Sequence, residues 1–282
     1  MTHAPVQEIV AVFGWPVAGN PTQYLMEKAF AEAGLDWRYL TLEVPPDKLE
    51  DAIRGMLAMG FRGFNCTLPH KVSVLKYLSS TSEAAGLMGA VNCVNRVGDD
   101  LVGENTDGKG FVQSLRHVTD PAGKHVVLFG AGGAARAIAV EVALAQAAQI
   151  TVVNRSAQRG QELASLINDK AHTPASFAPW QGDYEVPPGT QVVINATSIG
   201  LGDANARLPV DLSSLTPEMV VADVIPNPPD TWLLRKAREH GCTTLDGLGM
   251  LVNQAVINFK IWTGVDPNAD VMREALEEFL GL

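Results

Sequence analysis

The sequence predicts an α/β protein of two domains, and three observations carry the prediction. Apolar runs of strand length alternate with segments of helical period along the whole chain. The stretch Val126-Val127-Leu128-Phe129 runs straight into Gly130-Ala131-Gly132-Gly133-Ala134-Ala135 and then into a helix of small and aliphatic residues reaching Leu144. Finally, 282 residues exceed one ordinary core and suit about two domains.

Glu8–Phe13 reads as a strand ended by Gly14-Trp15-Pro16, and Thr22–Ala33 as a helix with Leu25, Met26, Ala29 and Phe30 on one face. Trp37–Val44 alternates as a strand, and Pro45-Pro46-Asp47 opens a helix reaching Met59. Gly63–Thr67 is a short strand leading into Leu68-Pro69-His70-Lys71. Ala90–Val97 and Asp100–Glu104 form a hairpin about Gly98-Asp99. Asn105-Thr106-Asp107-Gly108 then leads to a connecting helix near Lys109–Leu115.

In Gly130-x-Gly132-x-x-Ala135 each small residue has a task. Gly130 makes the tight turn, Gly132 lets the backbone approach a pyrophosphate, and Ala135 lets helix and strand pack closely. This is the dinucleotide fingerprint of a Rossmann unit in its G-x-G-x-x-A form, with strand before and helix after. Free N–H groups at the helix N-terminus, here Gly133 and Ala134, favour the diphosphate. Ile150–Val153, Val192–Asn195, Val220–Val224 and Thr243–Leu245 continue the sheet, with a helix over Thr231–His240. Helices over Met250–Trp262 and Asp270–Phe279 close the chain. Asp169–Gly189, rich in polar residues, proline and glycine, is expected to be a surface loop.

An acid roughly 20 positions after the fingerprint takes the ribose hydroxyls of NAD. Here the second strand ends in Asn154-Arg155-Ser156-Ala157-Gln158-Arg159, with no acid. Two arginines and a serine suit a 2′-phosphate, so NADP is the expected cofactor and NAD the alternative. Ser156 also fits the N-cap of the helix that follows.

Composition removes several classes of function. The chain is 46% hydrophobic and 18% charged, with a net charge of -10 and no basic cluster, which argues against a nucleic-acid surface. Met1-Thr2-His3-Ala4-Pro5 carries no export signal, and no apolar run reaches the roughly 18 residues of a membrane span. Cys66, Cys93 and Cys242 are odd in number and unclustered, which fits buried thiols in a reducing cytoplasm. The six histidines include no His-x-x-x-His pair, so no metal is expected.

Lys71, after a proline-stiffened strand end, reads by itself as a solvated lysine, and Asp107 as a helix cap or Asx turn. Asn65, Asn92, Asn95 and Asn105 are an unusual supply of amides at strand ends, able to hold a hydroxylated ligand or to cap turns. Taken together with the Gly-rich turn, however, these pieces fall in one order. The run comprises Gly63–Lys71, Gly89–Asn92, Gly103–Gly108, Gly130–Ala137, Asn154-Arg155-Ser156, Asn195–Gly200, Asp246–Ala255 and Phe259 with Trp262-Thr263-Gly264. It resembles the shikimate/quinate dehydrogenase family nearly end to end, from Gly14 to Gly264.

The resemblance implies an N-terminal α/β substrate domain over 1–109, joined by returning C-terminal helices over 246–282. A Rossmann NADP-binding domain would span 110–245, with a cleft between the two. It implies hydride transfer between nicotinamide and a ring carbon of shikimate or quinate, with Lys71 and Asp107 as the catalytic pair. Alcohol oxidation needs a group to accept the hydroxyl proton as hydride leaves, which a lysine can do. Thr67, Asn92 and Gln254 would hold ring hydroxyls. Gly130, Ala131, Gly132, Gly133, Ala134, Asn154, Arg155, Ser156, Arg159, Thr197 and Gly247 would bind the cofactor. The expected partner is a small hydroxy acid, with neither nucleic acid nor membrane, and the chain a monomer or homodimer.

One region departs from the family. Its first loop reads G-x-P-I-x-H-S-x-S-P-x-x-H-N, and its two serines take the substrate carboxylate. Those positions hold Asn20 and Thr22 here, while the histidines become Gly19 and Met26 and the second proline becomes Gln23. A family tyrosine before N-x-P is Pro226. Both Asn20 and Thr22 can still donate to an oxygen, so they remain the expected substrate contacts, but the pocket they shape must differ. The chain therefore looks like a divergent paralogue, with the carboxylate end altered and the hydroxyl end intact. Two alternatives follow: the same chemistry on another ring alcohol or an amino analogue, or a ligand-binding regulator without turnover.

Overall fold

The computed structural model describes residues 6–282, and Met1–Pro5, read above for the lack of an export signal, lies outside them. The chain divides into two compact units, one of the described residues up to Thr106 together with Gln254–Leu282, the other Asp107–Asn253. The first unit contains β1 (Glu8–Gly14), α1 (Thr22–Glu32), β2 (Trp37–Glu43), α2 (Leu49–Ala58) and β3 (Gly63–Cys66). It continues with α3 (His70–Ser73), β4 (Ser80–Thr81), α4 (Glu83–Met88), β5 (Cys93–Val97) and β6 (Asp100–Glu104). Helix α5 (Thr106–Arg116) then carries the chain into the second unit. That unit holds β7 (His125–Phe129), α6 (Gly133–Leu144), β8 (Gln149–Asn154), α7 (Ala157–Lys170) and β9 (Ala175–Pro179). After these come β10 (Val192–Asn195), β11 (Val220–Asp223), α8 (Trp232–Glu239) and β12 (Thr243–Leu245). Helix α9 (Leu248–Thr263) returns the chain to the first unit, where α10 (Ala269–Leu280) ends it.

The first unit is a six-stranded mixed sheet in the order β2-β1-β3-β5-β6-β4. Strands β1, β2 and β3 are parallel, whereas β5 runs antiparallel to β3 and pairs with β6 in the predicted hairpin, Val97 opposite Asp100. One sheet face buries Phe13 stacked on Phe64 at 4.7 Å, with Met56, Val74 and Leu101 around them. Elsewhere in the unit, Phe30 meets Phe259 at 5.1 Å and Tyr39 meets Trp262 at 6.2 Å, so α1 and β2 pack on the last two turns of α9. The open edge of β2 is covered by α1. The Gln23 and Glu27 side chains accept the outward N–H groups of Thr41 (3.0 Å) and Tyr39 (2.5 Å), an i,i+4 pair on the helix matched to an i,i+2 pair on the strand.

The second unit is an all-parallel sheet ordered β12-β11-β10-β7-β8-β9. Its strands are apolar on both faces because both are covered, Val126 and Leu128 entering one core and Val127 and Phe129 the other. The winding reverses between β7 and β10, and in open α/β sheets a ligand crevice lies beyond the strand ends at such a switch.

Two expectations are corrected. Asp169–Gly189 is not a plain loop, because it contains β9, the edge strand of the second sheet. Its prolines and small residues hide it in the sequence, and its pairing comes from β8, with Ile150 opposite Ala175 and Asn154 opposite Pro179. The Asn168 side chain also holds Ala175, accepting from its N–H at 2.9 Å and donating to its C=O at 2.7 Å. The connecting helix α5 begins at Thr106 instead of near Lys109, which places Asp107 in its first turn. The three cysteines are buried, and among the described residues none forms a disulfide. Among the described residues no helix is long and apolar enough to cross a membrane.

Candidate active site

In the second unit, most residues expected to meet the cofactor gather at the C-terminal ends of β7, β8, β10 and β11. Gly130 ends β7 with φ +110°, and a Cβ there would lie 2.9 Å from the Ala196 carbonyl oxygen, so both conformation and space require glycine. At Gly132 and Gly133, by contrast, a Cβ would meet no protein atom, so these residues keep the N-terminal end of α6 open. A pocket of about 470 Å³ lies over it, lined by Gly130–Ala134, Asn154, Arg155, Arg159, Thr197 and the Val224–Pro226 turn. Arg155 and Arg159 are exposed, and among the described residues neither guanidinium is paired with a carboxylate. An open helix N-terminus beside two unpaired arginines fits a diphosphate and a 2′-phosphate.

Two of the expected cofactor residues lie outside this lining. The Ser156 hydroxyl accepts the Arg159 N–H at 3.4 Å, capping α7. Gly247 lies against the turn beyond β11, where a Cβ would stand 2.5 Å from the Ile225 carbonyl oxygen. Its role is to let that turn approach.

Asp223 is a site residue that sequence inspection misses. It is 1% exposed at the end of β11. It accepts from Asn195 Nδ2 (3.0 Å), the Ile225 N–H (3.1 Å) and the Thr231 hydroxyl (2.8 Å). Asn195 Oδ1 in turn takes the Thr197 N–H (3.1 Å) and hydroxyl (2.7 Å). One carboxyl thus fixes both turns that line the pocket. The signal, an acid closing the apolar run Val220–Ala222, is weak by itself.

Burial pushes the Asp223 carboxyl up to about 6, against hydrogen bonds from Thr231, Asn195 and the Ile225 and Val224 backbone that favour its ionised form. Its native pKa lies above the unfolded 3.8, so folding takes up a proton between those values and stability falls as pH rises through the window. The expected loss is on the order of 3 kcal/mol between about pH 4 and pH 6, level above that. Asp223→Asn should flatten this component. Denaturant titrations of both proteins from pH 4 to 7 check it, and parallel pH profiles would contradict it.

The residues expected to meet the substrate, Asn20, Thr22, Thr67, Asn92 and Gln254, lie in the first unit, as does Lys71. Lys71 sits in the short helix α3 beside His70, which is fully buried with Nε2 on the Val44 carbonyl at 2.7 Å. The Lys71 carbonyl accepts the Val91 N–H at 2.8 Å, which places α3 next to Asn92. The lysine charge also reaches Cys66, opposing the burial that pushes this thiol far up. The Thr67 N–H is held by the Phe13 carbonyl at 2.9 Å, at the ends of β1 and β3. Asn20 Oδ1 accepts the Thr22 N–H at 2.9 Å, a turn that opens α1 and leaves the Asn20 amide N–H₂ and the Thr22 hydroxyl unpartnered among the described residues. Asn65 and Asn105 prove structural, donating to the carbonyls of Asn92 (2.7 Å) and Ala90 (3.1 Å).

Asn92 and Gln254 are brought into one buried chain of hydrogen bonds. Asn92 Oδ1 accepts the Thr106 N–H at 2.7 Å, and Asn92 Nδ2 donates to Thr106 Oγ1 at 3.0 Å. The Thr106 hydroxyl donates to Asn258 Oδ1 at 2.8 Å, and Asn258 Nδ2 donates to Gln254 Oε1 at 3.0 Å. Asp107 is the next residue after Thr106. Thr106 and Asn258 are the members that the sequence reading does not single out. Their trace is a Gln-x-x-x-Asn pair, one turn apart, in the otherwise apolar stretch Ala255–Phe259.

The chain is similar to known proteins over nearly its whole length. The shikimate dehydrogenase substrate binding domain matches residues 12–94, shikimate / quinate 5-dehydrogenase matches 113–198, and the shikimate 5′-dehydrogenase C-terminal domain matches 247–277. Shikimate dehydrogenase (NADP(+)) of Desulforamulus reducens is 38% identical over 276 residues, 96% of this chain and 95% of that protein. The ligand-free crystal structure of 5-ketofructose reductase of Gluconobacter sp. strain CHM43 is 54% identical with a TM-score of 0.96, covering 98% of this chain and 99% of that one. Shikimate 5-dehydrogenase from Listeria monocytogenes, in complex with shikimate and NAD, is 32% identical with a TM-score of 0.91 and 98% coverage of each chain. The chain belongs to the shikimate/quinate dehydrogenase family. It is an NADP-dependent oxidoreductase of the shikimate dehydrogenase type.

Proposed function

We propose that this enzyme interconverts a ring ketone and a ring alcohol on a polyhydroxylated substrate without a carboxylate, a keto sugar of the 5-ketofructose kind. The observation that carries this reading is the β1–α1 turn. Where the family holds a carboxylate with two serines, Asn20 and Thr22 stand, with no lysine or arginine between Gly14 and Met26. An amide and a hydroxyl suit neutral ring oxygens. The 54% identity to a 5-ketofructose reductase, against 38% and 32% for the two shikimate enzymes, supports the same choice.

NADP supplies or takes the hydride. The residues of this chain do the rest. Thr67, Asn92 and Gln254 hold ring oxygens, and Lys71 with Asp107 manages the proton. In reduction the ring carbonyl carbon gains hydride and its oxygen takes a proton from the Lys71 ammonium. In oxidation the lysine amine takes the hydroxyl proton back. Arg155 and Arg159 would hold the 2′-phosphate, and the N-terminal end of α6 the diphosphate, since both line the same pocket. The buried thiols of Cys66, Cys93 and Cys242 suit a reducing cytoplasm as the place of work.

Shikimate itself is the second reading, favoured by the Thr67, Lys71, Asn92, Asp107 and Gln254 set that the family uses on the hydroxyl side. The test is NADPH oxidation with 5-ketofructose beside NADP⁺ reduction with shikimate and with quinate. Turnover of the keto sugar with kcat/KM at least about a hundredfold above that for either acid is expected, the scale of one well-made polar discrimination. Preference for shikimate or quinate overturns the substrate proposal and returns the enzyme to the family's own reaction. NADPH binding without any turnover would make the chain a binder.

A further inference from the structure

We infer that Asn258 is a positioning residue that sets the polarity of Gln254, so that Gln254 meets the substrate as a hydrogen-bond donor. The inference rests on the reading of Gln254 as a ring-oxygen contact, but its geometry lies wholly within the first unit.

The direction of the chain is fixed at one end by a group with no choice. The Thr106 backbone N–H can only donate, so the atom it meets on Asn92 at 2.7 Å is the amide oxygen. Asn92 therefore turns its nitrogen to Thr106 Oγ1 at 3.0 Å. That hydroxyl, now an acceptor, has a single proton of its own. Asn258 Oδ1 at 2.8 Å is nearer than Asn92 Oδ1 at 3.1 Å, and the latter already holds the Thr106 N–H. The proton goes to Asn258, whose oxygen is thereby assigned and whose nitrogen faces Gln254 Oε1 at 3.0 Å. Gln254 Oε1 is thus occupied. Its Nε2 has no partner among the described residues, although the side chain belongs to a residue only 7% exposed. The residue is otherwise buried but its N–H₂ is open to solvent and unpartnered by protein, which leaves it free to meet a ligand oxygen.

Asn258 is 0% exposed, on a helix whose neighbouring residues are apolar. A buried asparagine is costly unless satisfied, and here both its functional groups are used in one direction. If Asn258 only filled space, an aliphatic side chain of similar shape would serve. If it sets polarity, the charge and proton count of its side chain must matter.

Asn258→Asp separates these cases. The ionised carboxylate would still accept from Thr106, but it would present an oxygen to Gln254 Oε1 and force the Gln254 amide to turn, offering its carbonyl to the substrate. Protonated, the same side chain donates to Gln254 Oε1 and restores the original sense. The expected result is a KM for the ring substrate about tenfold above wild type at high pH, returning toward wild type as pH falls, with kcat and the KM for NADPH little changed. Asn258→Leu, which lacks the donor at every pH, should show the raised KM throughout. A second readout needs no substrate. The ¹H–¹⁵N side-chain amide signal of Gln254, assigned by its loss in Gln254→Leu, should move with pH in Asn258→Asp and stay still in wild type.

A wild-type KM in both variants across the pH range, or a Gln254 signal indifferent to titration of the introduced carboxyl, would overturn the inference. Failure of the wild type to turn over any ring substrate would count against the proposed function alone, and the amide signal would still decide the polarity.

Discussion

Replacing Lys71 by alanine is expected to lower kcat by about a hundred- to ten-thousand-fold, the usual worth of a positioned acid–base group. NADPH affinity should hardly change, because the residues that line the cofactor pocket all lie within Asp107–Asn253 and Lys71 lies in the other unit. Lys71→Arg is the informative companion. Arginine keeps the charge but does not give up its proton near neutral pH, so it should recover little of the rate. If a fixed positive charge were all the reaction needed, arginine would rescue. On the proposed mechanism Asp107→Asn should also lower kcat, since an amide cannot share the proton. Steady-state kinetics with the substrate that the wild type prefers, together with fluorescence titration of NADPH, checks all three variants. A raised KM with an unchanged kcat in Lys71→Ala would make the lysine a binding group and remove it from the proton path.

How much of this was legible depended on how local each feature is. The β7–turn–α6 unit is written in consecutive residues, because strand, glycine turn and helix start must follow one another to hold a diphosphate. The Gly98-Asp99 hairpin and the helices over 248–263 and 269–280 are local in the same sense. Strand β9 is not, since neighbours on β8 and the Asn168 side chain make it a strand, and Pro174 and Pro179 argue otherwise. Lys71 and Asp107 stand out only through the family resemblance, for isolated lysines and aspartates have ordinary surface and capping roles. The Asn195–Asp223 and Thr106–Asn258 links join residues 28 and 152 positions apart and leave little more than a polar residue in an apolar run. The same distinction explains the substrate. Departures at Asn20 and Thr22 mark where the sequence leaves the family pattern, but what that loop would hold depends on atoms that the loop alone does not supply.

Arg155 should govern the choice of cofactor. The 2′-phosphate carries close to two negative charges near neutral pH, and a guanidinium fork meets it with charge-assisted hydrogen bonds worth about 1.5–3 kcal/mol. Arg155→Ala is therefore expected to raise the KM for NADPH about ten- to a hundredfold while leaving that for NADH nearly unchanged. Arg159, four residues further along and inside α7, lines the same pocket and should contribute in the same sense. Ser156 should not. Its hydroxyl is used on the Arg159 N–H, so Ser156→Ala should cost about 1 kcal/mol of stability with little effect on cofactor choice. Arg155→Asp goes further. It supplies the ribose-binding acid that NAD-dependent relatives of the fold place at this strand end, and it repels a 2′-phosphate. The preference for NADPH over NADH should then invert. Initial rates with both cofactors over a range of salt give a second check, because a phosphate–arginine contact weakens with ionic strength and a ribose contact does not. If Arg155→Ala raised both KM values equally, the arginine would be serving the diphosphate common to the two cofactors, and the basis of NADP selection would have to lie elsewhere in the pocket.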